Sequence, residues 1–195
     1  MNKYVAEFLG TFLLALAVSL SIAGKFPVST PVIAALTLGV SVYTLFAISG
    51  THINPAITLG LAAIGKIGGK DAAAYLVAQF LGGGLAMGVA RYLAPGGTAG
   101  VSAADGATVF TAELLGTFVL ATGVASVVHG KAPGEAAGLT IGGSLLIGIS
   151  IAASASNGVL NPAVALAIGS LSASYVAAPI IGAGLAMFLY RSLSR

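Results

Sequence analysis

Six stretches of this chain are each long and apolar enough to cross a lipid bilayer, and this feature limits the fold more than any other. About 20 apolar residues, at a rise of roughly 1.5 Å per residue, span the hydrocarbon core of a membrane as a helix. The chain is 57% apolar and only 7% charged, a balance that a water-soluble domain of this length could not hide from solvent. The predicted crossings are approximately residues 4–23, 32–49, 72–93, 109–128, 136–154 and 174–193.

The polar residues are too few and too scattered for several other kinds of protein. Eight Lys and Arg against five Asp and Glu give a formal net charge of +3, but these charges are spread along the chain. Nucleic-acid binding needs a clustered basic surface, so we expect no nucleic-acid partner. With no cysteine and only two histidines, the chain offers no convincing metal cluster or catalytic triad. We therefore expect no enzyme, no metal and no cofactor.

The two halves of the sequence resemble each other. The matching segments are 6–18 with 112–124 (nine of thirteen identical), 54–56 with 161–163 (three of three) and 75–87 with 175–187 (seven of thirteen). Because they occur in the same order at separations of 106, 107 and 100 residues, we infer that one ancestral half was duplicated. The chain is then a single transmembrane domain over residues 1–195, with repeats at about 1–94 and 108–195.

Each half supplies three full crossings, and an odd number of crossings inserts the second half upside down relative to the first. Cytoplasmic loops of membrane proteins carry an excess of Lys and Arg, which tests the orientation. With both termini in the cytoplasm, only Lys25 and Arg91 fall outside. The basic residues inside are Lys3, Lys66, Lys70, Lys131, Arg191 and Arg195. We therefore predict an inverted repeat in the plasma (inner) membrane, with residues 95–108 as the external connector.

Two further apolar stretches, residues 54–64 and 161–171, are too short to cross the membrane and too apolar for an aqueous loop. Each begins with Asn-Pro-Ala, which is typical of a helix start because Asn caps through its side-chain oxygen and Pro fits the first turn. In an inverted repeat the positive N-terminal ends of these half-helices meet near the bilayer centre. Such a site repels cations and admits neutral polar solutes, to which the amides of Asn54 and Asn161 can donate.

These motifs resemble those of the aquaporin, or major intrinsic protein, family over nearly the whole chain. Residues 49–58, Ser-Gly-Thr-His-Ile-Asn-Pro-Ala-Ile-Thr, are similar to the family's first signature, which contains Asn54, Pro55 and Ala56. The second signature falls at Asn161, Pro162 and Ala163. The resemblance implies an all-α membrane protein: an aquaporin-like barrel of six transmembrane helices plus two half-helices, with one pore per subunit and assembly as a homotetramer.

Glu7 and Glu113 lie inside predicted membrane helices, where a carboxylate is costly and is a candidate functional group. We favour a supporting role, because a pore loop exposes backbone N–H groups that a buried carboxylate can accept, and this is the role in the similar family. Proton or cation handling is the alternative. His52 is expected to brace the first pore loop against Glu7, with pH gating as its alternative.

The narrowest point of the similar family combines an aromatic residue, two residues of varied type and an arginine. The resemblance places these positions at Ala34, Ile149, Gly158 and Val164, with Gly148 as an alternative to Ile149. None of them is aromatic and the arginine is missing, so we expect a wider and more apolar constriction than in strict water channels.

We accordingly expect a passive channel in the lipid bilayer for water and for small uncharged solutes such as glycerol. A channel for ammonia or CO2 is one alternative. An ion-coupled secondary transporter is another, because transporters also use inverted repeats, broken helices and membrane carboxylates. A third alternative is a packing or adhesion protein whose lumen conducts nothing.

Overall fold

A computed structural model describes residues 1–97, 101 and 104–195, and within these ranges the chain is helical with no strand. The helices are α1 (Asn2–Ile22), α2 (Thr30–Ser49), α3 (Pro55–Ala63), α4 (Gly69–Leu93), α5 (Ala107–Val128), α6 (Ala137–Ala152), α7 (Pro162–Ile168) and α8 (Ala173–Leu193). A short 3-10 turn, Gly134–Ala136, leads directly into α6.

Six of these described helices are long and apolar enough to cross a membrane: α1, α2, α4, α5, α6 with its 3-10 turn, and α8. Their ends lie within three residues of the predicted crossings. The other two, α3 and α7, have nine and seven residues and are too short to span. The predicted fold class, six crossings and two half-helices, is confirmed.

The two halves pack in the same pattern. In the first half α1 packs on α2 and on α4, and in the second α5 packs on α6 and on α8. The half-helices fill the space between: α3 lies against α8 and α4, and α7 lies against α4 and α1 and touches α8. Each half-helix therefore contacts long helices of both halves, which holds the two halves together around a common centre.

Glycine allows α5 and α6 to approach closely. A methyl group added at Gly116 would lie 2.6 Å from the backbone oxygen of Gly148, so no larger residue fits without moving a helix. Membrane helices commonly pack through such small residues, because lipid supplies no hydrophobic force between them. Gly148 thus faces α5 rather than the centre of the bundle.

The outer surface of the bundle is apolar. Val77 and Leu81 on α4 are each 61% exposed, and comparable exposed aliphatic side chains occur on α1, α2, α6 and α8. A soluble protein would bury such residues, whereas lipid tails solvate them well. Together with the six crossings, this surface makes the chain an integral multi-pass membrane protein.

The connector between the halves reaches α8. The carboxylate of Asp105 accepts hydrogen bonds from the backbone N–H of Gly106 (2.9 Å), from the N–H of Ser174 (3.2 Å) and from the Ser174 hydroxyl. These bonds, led by the one from the hydroxyl, hold the pKa of Asp105 below its usual value of 3.8. Part of the connector predicted at residues 95–108, namely 98–100 and 102–103, lies outside the described residues.

Candidate pore

The two Asn-Pro-Ala triplets begin the two half-helices. Asn54 is extended and caps α3 through its side-chain oxygen, which accepts the N–H of Ala56 at 2.9 Å. Asn161 caps α7 in the same way, accepting the N–H of Ala163 at 3.0 Å and that of Val164 at 3.4 Å. Pro55 and Pro162 follow as the first helical residues. The local chemistry of each triplet therefore sets where its half-helix starts.

The N-terminal ends of α3 and α7 are joined by reciprocal hydrogen bonds. The side-chain nitrogen of Asn54 donates to the backbone oxygen of Leu160 at 2.9 Å, and that of Asn161 donates to the backbone oxygen of Ile53 at 3.0 Å. An amide nitrogen carries two hydrogens, so each Asn has a second hydrogen that this bond does not use. The sequence had indicated the cap and the free donor but not this bond between the halves.

Glu7 supports the segment that precedes α3. Its carboxylate accepts the backbone N–H groups of His52 (2.9 Å) and Ile53 (2.6 Å), the hydroxyl of Ser49 (2.7 Å) and the amide of Gln79 (2.8 Å). Ile53 has a φ of 37° and Thr51 one of 49°, conformations that cost a β-branched residue about 1–3 kcal/mol. The bonds to Glu7 hold this unfavourable backbone in place.

Glu113 supports the segment that precedes α7 in an equivalent way. Its carboxylate accepts the N–H groups of Val159 (2.9 Å) and Leu160 (2.7 Å) and the hydroxyl of Ser156 (2.7 Å). Gly158 and Leu160 have φ values of 63° and 57°, matching Thr51 and Ile53 of the first half. The second glutamate has no counterpart of the bond from Gln79, because residue 179 is a proline.

His52 contacts Glu7 through its backbone, while its ring points elsewhere. The imidazole Nδ1 lies 3.2 Å from the hydroxyl oxygen of Thr58, and the ring meets that of Tyr75 edge-on, 5.0 Å between centroids. Neither Thr58 nor Gln79 stands out in the sequence as a candidate functional residue. Both differ in type from their second-half counterparts, Ala165 and Pro179. This difference between the repeats was the sequence feature that could have identified them.

A cavity of about 270 Å³ lies at the junction of the half-helices. Most of its polar lining residues come from the segments that precede α3 and α7: Thr51, His52, Asn54, Asn157 and Asn161. Apart from Thr30, the lining residues on α1, α2, α5 and α6 are apolar, and they include Leu14, Val18, Ala34, Leu38, Leu120, Val124, Ile141, Leu145 and Ile149.

The four positions assigned to the constriction all border this cavity. Ala34, Ile149 and Val164 are apolar and nearly buried, at 1%, 7% and 3% exposure. Gly158 lies beside Ile149, since a methyl group added to it would be 3.0 Å from the Ile149 backbone oxygen. The alternative residue, Gly148, is not among the residues described as lining the cavity and packs on Gly116 instead.

A sequence profile of the family described as Major intrinsic protein matches residues 1–190. The chain belongs to the major intrinsic protein family. Members of this family are channels, so the protein is a membrane channel and not an enzyme.

Individual relatives agree with this membership. The chain is 35% identical to "Aquaporin Z" of Rhodopseudomonas palustris, with 99% of this chain and 93% of the relative covered. It is 34% identical to "Glycerol uptake facilitator protein-like 6" of Lactiplantibacillus plantarum, with 98% and 97% covered. The structure is similar to that of the aquaglyceroporin from Plasmodium falciparum, with a TM-score of 0.70, 21% identity and coverage of 100% and 95%. This last similarity supports the aquaporin-like fold.

Proposed function

We propose that the protein is a passive channel for water that also admits small uncharged solutes such as glycerol. The observation that carries this proposal is the pair of half-helix N-termini, bonded to each other through Asn54 and Asn161 at the wall of one cavity. Each Asn offers one remaining N–H to an oxygen atom in the lumen. The lumen is thus lined by these donors together with apolar side chains of α1, α2, α5 and α6.

The electrostatics of this centre favour uncharged molecules. Each helix N-terminus carries about half a positive charge, and two of them meet here in a medium of low dielectric constant. Among the described residues that line the cavity there is no Asp, Glu, Lys or Arg to coordinate or balance an ion. A cation that left water at this point would meet repulsion without a compensating ligand.

The constriction supports the passage of solutes larger than water. Ala34 and Gly158 leave space, and Val164 stands where the similar family has a charged, donating arginine. A wider, less polar opening lowers the barrier for molecules that have an apolar face. Relatives whose names refer to glycerol uptake as well as to water channels are consistent with this range.

For the orientation, we infer cytoplasmic termini in the plasma (inner) membrane. Basic residues collect at the end of the bundle that holds the N-terminus: Lys66 donates to the backbone oxygen of Val128, Arg191 to that of Ile64, and Lys3 pairs with Asp71 at 2.8 Å. An excess of basic residues is typical of the cytoplasmic side. We further propose a homotetramer, as the family resemblance implies.

Substitution of Val164 tests the proposal. In proteoliposomes, Val164→Arg should reduce glycerol flux at least about tenfold while lowering water flux far less, since the new side chain fills the lumen and restores charge. Val164→Met is the matched control, because it adds length without charge and should have an intermediate effect. Stopped-flow light scattering measures the fluxes of water, glycerol and ammonia through the wild type and both variants. A wild-type protein that conducts none of them would contradict the proposed function.

A further inference from the structure

A buried chain of hydrogen bonds connects Glu7 with the ring of His52. The amide nitrogen of Gln79 lies 2.8 Å from Glu7 Oε2 and 2.8 Å from Thr58 Oγ1. Thr58 Oγ1 lies in turn 3.2 Å from Nδ1 of His52. Gln79 and Thr58 are fully buried, whereas His52 is among the residues that line the pore cavity. The chain therefore leads from the interior of the bundle to the lumen.

The direction of each bond follows from the donors and acceptors present. Glu7 already accepts three other hydrogen bonds, so it is an acceptor for Gln79 and must face the amide nitrogen. That nitrogen has two hydrogens, one for Glu7 and one for Thr58. Because the Thr58 hydroxyl accepts from Gln79, its own hydrogen is left to donate, and Nδ1 of His52 is the acceptor within reach.

A neutral imidazole that accepts at Nδ1 carries its hydrogen on Nε2. Among the residues that the structure describes, no protein group bonds to Nε2 of His52. His52 is among the residues that line both the central cavity and a vestibule that also contains Lys3 and Lys66. The Nε2–H group therefore belongs to a residue that borders both spaces, and the described protein groups leave it unbonded.

We propose that Thr58, oriented by Gln79, is a positioning residue that fixes His52 in the Nε2–H form, so that His52 presents a donor and no acceptor to a permeating molecule. This rests on the proposed function in one respect, namely that permeants pass along this cavity. Ammonia accepts a hydrogen bond well and donates weakly, whereas water does both. A donor at His52 consequently favours ammonia over water more than a bare ring nitrogen would.

The second half of the chain shows that loop support alone does not require this device. Within the part of the chain that the structure describes, Glu113 holds its pore segment with bonds from Ser156, Val159 and Leu160 alone. The positions that correspond to His52, Thr58 and Gln79 are Val159, Ala165 and Pro179. A pore segment can thus be supported by its glutamate without the three polar side chains, which points to a role for them in the lumen.

The protonated nitrogen of His52 can be observed directly. The chain has two histidines, so full-length protein labelled with 15N-histidine in lipid bilayers gives two sets of ring signals by NMR, and a His129→Gln variant identifies those of His52. We expect Nε2–H in the wild type and in Thr58→Ser, which keeps the hydroxyl. In Thr58→Val the ratio of Nε2–H to Nδ1–H should fall about fivefold, the equivalent of one hydrogen bond of about 1 kcal/mol.

Two NMR results would overturn the proposal: an Nδ1–H form in the wild type, or a Thr58→Val spectrum identical to that of the wild type. The wild-type spectrum decides even where Thr58→Val fails to fold. In proteoliposomes, the ratio of ammonia flux to water flux should fall measurably in Thr58→Val and stay unchanged in Thr58→Ser, and the fall should follow the loss of the Nε2–H population seen by NMR. An unchanged ratio in Thr58→Val would show that the donor does not face permeants. A wild type that conducts nothing would refute the proposed function while the NMR result still tested the tautomer.

Discussion

Replacing Glu7 by Gln changes a buried acceptor into a group that is half donor. The carboxylate accepts four hydrogen bonds, two at each oxygen: Ser49 and His52 bond to Oε1, and Ile53 and Gln79 bond to Oε2. A Gln side chain keeps one oxygen, so two of the four donors must face an NH2 group. Hydrogen bonds to a charged group contribute about 1.5–3 kcal/mol each, so Glu7→Gln should destabilise the protein by about 3–6 kcal/mol.

The same reasoning gives a smaller effect for the second glutamate. Glu113 accepts two hydrogen bonds at Oε1 and one, from Leu160, at Oε2. In Glu113→Gln the NH2 group can take the place of Oε2, so that the bond from Leu160 alone is lost. The protein should then be destabilised by about 1.5–3 kcal/mol. At about 2–4 °C per kcal/mol for a chain of this length, Tm should fall by about 6–24 °C in Glu7→Gln and by about half as much in Glu113→Gln.

Thermal unfolding followed by circular dichroism in detergent measures these shifts. Glu135→Gln is the matched control, because Glu135 is exposed in the 3-10 turn and the same change there should leave Tm within about 2 °C. A Tm for Glu7→Gln equal to that of the control would refute the supporting role. A stable Glu7→Gln protein whose solute uptake no longer responds to a proton gradient would instead identify an ion-coupled transporter.

Three further predictions concern packing, the connector and charge selection. Gly116→Ala should lower Tm by about 2–12 °C because its methyl group meets the Gly148 backbone oxygen, whereas Gly184→Ala, with open space around it, should not. The pKa of Asp105 is lowered, so the hydrogen bonds to its carboxylate stabilise the fold above pH 3.8 and are lost as the pH falls further. The difference in Tm between the wild type and Asp105→Asn should therefore shrink below pH 3.8. Asn54→Asp keeps the capping oxygen of α3 but places a carboxylate where the two half-helices meet. Sodium conductance in planar bilayers should therefore rise above background.

The parts of the molecule that could be predicted from the sequence are those specified by local chemistry. Long apolar runs gave the six crossings, and Asn-Pro-Ala gave the starts of α3 and α7, because capping depends on residues within one turn. The bonds from Asn54 and Asn161 could not be predicted, since their acceptors are backbone oxygens more than a hundred residues away.

The sequence also could not predict which residue of α6 faces the pore. A shift of one residue turns a side chain by about 100° around a helix, so the sequence left Ile149 and Gly148 as alternatives. Packing separates them, because Gly148 is needed where α6 touches α5. Thr58 and Gln79 were missed for a related reason: each has apolar neighbours on both sides in its helix, and only the fold joins them to His52.

Paired recordings of water flux and ion current test most directly whether facing half-helices form a passage for uncharged molecules. The same purified protein would be placed in liposomes for stopped-flow osmotic shrinkage and in planar bilayers for sodium conductance. We expect water flux well above that of empty liposomes, with sodium conductance at the level of bare lipid. A sodium current that scales with the amount of protein, or osmotic shrinkage no faster than in empty liposomes, would contradict the account.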